Sequence, residues 1–168
     1  MIRNYFLILL FALFGVISSQ SIASSKPQEL FWDELVPKGY EAPIGNLSPH
    51  NESMDSNWVQ PDLNAPIVEA LNNKLITLPG FVVPLEGDDK VITEFLLVPY
   101  FGACIHVPPP PPNQIVHVTF KDGVPIESLY DAISVTGKMT TQGWEGEIAK
   151  VGYRIEGIGV APFELYED

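Results

Sequence analysis

The chain has 168 residues, with nine Lys plus Arg against 21 Asp plus Glu for a formal charge of −12, and one cysteine. A surface of that sign repels phosphate backbones and carries no basic stripe, which excludes nucleic acid as a partner. A lone thiol excludes an intramolecular disulfide, and the length suits one hydrophobic core rather than two ordinary domains, so the fold must rest on burial.

Arg3, the apolar run YFLILLFALFGVI and the small-polar stretch SSQSIASS have the layout of a secretory signal peptide. The run is shorter than the roughly 20 residues of a spanning helix. Cleavage is expected after Ser25, with Ser21 as the alternative, and no cysteine stands there to be lipidated. The chain thus divides into a signal peptide 1–25, an irregular N-terminal arm 26–64 and a β-rich domain 65–168. It predicts a soluble periplasmic or secreted protein with no stable transmembrane segment in its mature form.

The arm is rich in Pro, Asn, Ser and acidic residues and poor in apolar periodicity. Phe31, Trp32 and Leu35 suit a short helical turn, and Trp32 and Trp58 suit anchoring on the core. Asp62 or Asn64 is placed to cap a short helix through IVEALNN, with Ile67 and Leu71 on one face, ended by Asn72 and Asn73.

KLITLPGFVVPLE then predicts a first strand, bent at Pro79-Gly80. EGDDK reads as a turn, and VITEFLLVPYF as a second strand with Ile92, Glu94, Leu96 and Val98 on one face. QIVHVTF is the third strand, followed by KDG as a turn. ISVTGKM is the fourth, TTQGWEGEIAKVG a short hairpin, and YRIEGIGVAPFEL the partner of the fourth, with a bulge expected at Gly157 or Gly159. A mainly β fold follows, and short strands broken by glycines fit a small curved β-barrel, OB-like in form.

No dinucleotide fingerprint, phosphate loop, HExxH helix, EF-hand loop or GxSxG elbow is present. The chemistry concentrates in PYFGACIHVPPPPPNQIVH, residues 99–117, which holds the only cysteine, two of three histidines and five consecutive prolines. Cys104 and His106 leave the same face of an extended backbone, and His117 returns to them after the proline spacer. Thiolate and imidazole are donors for zinc or copper, and Glu94 on the preceding strand offers a fourth group. Met139 is a weaker alternative pointing to copper.

A structural thiol with hydrogen-bonded histidines is the plain alternative. A thiol enzyme would need Cys104 activated by His117 and oriented by Glu94 or Asp122. The proline run suits either an ordered crossover or a ridge for a partner, with Asn113 and Gln114 satisfying backbone groups at its end. The balance favours a binding protein over an enzyme.

LPGFVVPLE at 78–86 and TEFLLVPYFGACIHVPPPPPNQIVHV at 93–118 resemble the DUF3299 family of exported bacterial proteins. The resemblance runs from roughly Trp32 to Tyr153. It implies one exported domain with 94–117 as its characteristic segment, and a cell-envelope protein or transport system as partner, but no established activity. The reading is a binder of a transition metal or small ligand at Cys104, His106, His117 and Glu94, with a non-catalytic envelope-interaction protein as the alternative.

Overall fold

A computed structural model of the chain describes residues 26–41, 59–88, 91–104, 109–126 and 128–163. The expected signal peptide, Trp58 and His106 lie outside the described residues. The strands are β1 (Gln28–Glu29), β2 (Lys74–Gly87), β3 (Ile92–Val98), β4 (Val116–Val124), β5 (Ile133–Thr140), β6 (Trp144–Glu145), β7 (Lys150–Val151) and β8 (Tyr153–Pro162). Helical structure among the described residues is limited to 3-10 turns at Trp32–Leu35, Glu69–Leu71 and Pro112–Gln114.

Five strands close into a mixed barrel in the order β2-β3-β4-β8-β5, with β5 returning to β2. β4 and β8 run parallel and the other barrel pairs antiparallel. That is the strand order of an OB-like barrel. Its first strand serves two neighbours: Lys74–Gly80 pairs with β5 and Phe81–Gly87 with β3, so the partner changes at the Pro79-Gly80 bend that the sequence marks.

Period-two alternation sends one face of every strand inward. Ile76, Leu78 and Val82 of β2, Phe95 and Leu97 of β3, Val116 and Val118 of β4, Val135 and Met139 of β5 and Ile155 of β8 fill the interior. Phe95 and Phe120 stack within it at 6.1 Å. Leu30 and Leu35 of the arm join the same core, and the Trp32 indole N–H donates to the Pro79 carbonyl at 2.7 Å. Tyr153, fully buried, ties three segments: its hydroxyl donates to the Leu35 carbonyl at 2.7 Å and accepts from the Val68 amide at 2.6 Å.

Closure needs small residues where β5 crosses β8. Gly137 pairs with Gly157 and Thr136 with Gly159, leaving Ile158 as the bulged residue, 68% exposed. A Cβ on Gly137 would overlap Ile155 and the Glu156 backbone, so these glycines answer to close approach.

Three local expectations differ from the structure. IVEALNN forms only the 3-10 turn Glu69–Leu71, preceded by Val68 without a side-chain cap, because the Val68 amide is taken by Tyr153 and Ile67 and Val68 pack on the core. Asp62 instead accepts the Tyr40 hydroxyl at 2.5 Å. KDG does not end the third strand: β4 runs to Val124, which pairs with Ile92, and the irregular stretch is a bulge with Gly123 at φ +72°. Ile92 joins the interior because β3 carries its own extra residue, Thr93, against β2: Glu94 pairs with Glu86 and Ile92 with the next residue, Gly87.

Candidate functional site

Leu96 and His117 are register partners on β3 and β4, and Glu94 pairs with Thr119. Because side chains alternate, His117 leaves the barrel on the face opposite Val116 and Val118, and Glu94 stands diagonally across from it. The Glu94 carboxylate Oε1 lies 2.6 Å from His117 Nε2.

The outer face here is not open. Val83, Leu96, Val98, Ala103, Ile115, Ala149 and Val151 form a second apolar cluster outside the barrel, with Cys104 and Trp144 packed against it. The β6–β7 hairpin supplies its lid. Trp144 stacks on the His117 ring at 4.3 Å with an interplanar angle of 8°. Gly146 backs the indole, and a Cβ at that position would overlap the ring. His117 is left 2% exposed, while the Glu94 side chain keeps 25% of its surface in solvent.

The tautomer follows from these contacts. A carboxylate at Nε2 holds a proton there, and Nδ1 is buried with no hydrogen-bond partner among the described residues. A bare Nδ1 lone pair at that position costs less than an unpaired N–H, so the neutral ring carries its proton on Nε2.

The described part of the proline segment is packed against the barrel and the hairpin. Pro109 to Pro112 are buried, the Pro110 carbonyl accepts from Gln60 Nε2 at 2.9 Å, and the Pro112 carbonyl accepts the Gly152 amide at 2.7 Å. Gln60 also clamps Lys150 of β7, donating to its carbonyl at 2.7 Å and accepting its amide at 2.8 Å. Asn113 donates to the Pro66 carbonyl and Gln114 to that of Trp32, each through its side-chain amide. Among the described residues, the buried Pro109 to Pro112 expose no ridge.

Cys104 sits at φ +66° at the start of this crossover, partly buried. Burial pushes its thiol up to about 11. Such a thiol is protonated near neutrality, the opposite of an activated nucleophile. A bound metal would reverse that by favouring the thiolate.

The structure therefore brings Glu94 and His117 together and sets Cys104 against the apolar cluster that adjoins them. Among the described residues no three His, Cys, Asp or Glu side chains form a group able to hold a metal ion. Met139 is buried inside the barrel, on the other side of the sheet from His117. Sequence reasoning missed Trp144 and Gln60. The indole lies between Gly143 and Gly146 in a polar hairpin, a usable signal, whereas Gln60 carries none.

The model of the family described as "Protein of unknown function (DUF3299)" matches residues 32–162. The chain belongs to the DUF3299 family. A DUF3299 family protein from Pseudomonas aeruginosa PAO1, known from a crystal structure at 2.45 Å resolution, is 40% identical, with a TM-score of 0.72 over 85% of this chain and 100% of that one. The chain matches no curated protein. The DUF3299 match spans the whole barrel, the crossover and the hairpin lid, so the Glu94, His117 and Trp144 stack lies inside the family region. Among its described residues no helix is long and apolar enough to cross a membrane.

Proposed function

We propose that this DUF3299 protein is an exported, non-enzymatic binder of a transition metal, zinc or copper, or of a small ligand, on the outer face of β3 and β4. The observation that carries this reading is His117, buried, with Nε2 held by Glu94 and Nδ1 unpartnered. A carboxylate on one ring nitrogen is the usual way a protein fixes a histidine whose other nitrogen ligates a metal. Glu94 then orients the ring, His117 Nδ1 donates, and Cys104 and His106 bring the further donors from the crossover. Thiolate and imidazole together suit zinc or copper.

The location agrees with the fold. OB-like barrels use the face of their second and third strands, with the loop between the fourth and fifth, to hold ligands. Here β3, β4 and the hairpin carrying Trp144 occupy those places. Export rests on the leader-like residues 1–25. The protonated, partly buried thiol supports a second reading, a structural Cys104 in a protein that serves a cell-envelope partner or transport system.

The test is metal content by mass spectrometry on mature protein purified without tag or chelator, beside Cys104→Ala and His117→Ala. Near-stoichiometric zinc or copper, lost in both folded variants, is expected. Folded wild-type protein that stays empty after reconstitution with either metal rejects the metal site.

A further inference from the structure

A separate cavity opens where β5 begins and β8 ends. It has a volume of about 630 Å³ and is walled by Ile126, Ser128, Tyr130 and Asp131, by Ile133, by the Val160–Pro162 end of β8 and by Phe81. That volume lies within the range of small-molecule sites, which are apolar with a few placed polar groups. Phe81 and Tyr130 also line a narrower apolar cavity of about 140 Å³ beside Val98 and Phe101. Phe81, Phe101 and Tyr130 form a chain of rings, with centroids 6.1 and 5.5 Å apart. Tyr130 is 76% exposed at the junction of the two cavities.

Among the described residues the lining contains one charged side chain, Asp131, exposed beside Tyr130 and with no ion-pair partner there. An aromatic face beside an uncompensated carboxylate favours a cation over an anion. The overall charge of −12 adds to that preference.

We propose that this cavity binds a single-chain amphiphile with a cationic head group, its ammonium at Asp131 and Tyr130 and its alkyl chain running past Phe81 toward the narrower cavity. The site is distinct in residues from the Glu94 and His117 pair, except that Phe81 also packs against the outer apolar cluster.

The test is isothermal titration calorimetry on the full chain with decyltrimethylammonium below its critical micelle concentration, beside decanoate as the anionic match. Saturable binding at one site is expected for the ammonium, with decanoate at least about ten-fold weaker and Asp131→Asn reducing ammonium affinity about ten-fold. Ala161→Trp, at an exposed lining position, should abolish binding while leaving the net charge unchanged, and Tyr130→Ala should weaken it about five-fold. The proposal is overturned by no saturable binding, by equal affinity for decanoate, or by unchanged binding in Tyr130→Ala together with a folded Ala161→Trp. Should Ala161→Trp misfold, unchanged binding in Tyr130→Ala and Asp131→Asn overturns it.

Discussion

Glu94 and His117 meet across two antiparallel strands with Oε1 and Nε2 2.6 Å apart, the carboxylate partly wet and the imidazole sealed. Removing the carboxylate strands a buried donor. Glu94→Ala should cost about 1–3 kcal/mol in urea unfolding, and Glu94→Gln less, since its amide oxygen still accepts from Nε2. Nitrogen NMR of His117 should report the proton on Nε2 in the metal-free protein. Equal stability of Glu94→Ala and wild type would mean the pair contributes nothing to holding the ring.

The indole of Trp144 lies flat on His117 with Gly146 behind it. Gly146→Ala should push the ring aside and cost about 1–3 kcal/mol. A stacked indole shields the imidazole protons, so the His117 ring resonances should move downfield in the variant. Unchanged shifts would contradict the stack.

Tyr153 binds the arm to the barrel through Leu35 and Val68. Tyr153→Phe keeps the ring and deletes the hydroxyl, leaving a buried carbonyl and an amide short of a partner, at about 1–3 kcal/mol. Limited proteolysis should then cut faster within 26–41 while the barrel persists. A cleavage pattern identical to wild type would show that the arm is held by its apolar contacts alone.

Burial raises the Cys104 thiol to about 11. Its alkylation should be slow at pH 7 and climb with pH toward that value, well above the range of a free cysteine. The folded state holds this proton more tightly than the unfolded chain does. The thiol's contribution to stability is therefore full below about pH 9 and lost as pH rises toward 11. Cys104→Ser should flatten that part of the stability profile. Fast alkylation at neutral pH would revive the thiol-enzyme reading.

The barrel strands were legible because their apolar residues alternate and glycines or prolines punctuate them. Pro79-Gly80 marked the change of partner along β2, and the glycines near 157–159 marked the bulge at Ile158. The short helix over 67–73 was not legible, since its fate depends on Tyr153, more than 80 residues away. KDG read as a turn because local chemistry cannot distinguish a turn from a bulge. At the site, Glu94 and His117 could be nominated from strand phase, whereas burial of the ring depended on the Trp144 hairpin folding back over β4.

The parallel pairing of β4 with β8 has a temporal meaning. β8 is the last barrel strand to be synthesised, yet it supplies a neighbour to both β4 and β5. Until residues 153–162 have emerged, the nascent chain has no means of sealing the cylinder, and its longest-range contacts must wait. Sealing of the barrel is therefore a late step, set by the arrival of one C-terminal strand rather than by the four that precede it.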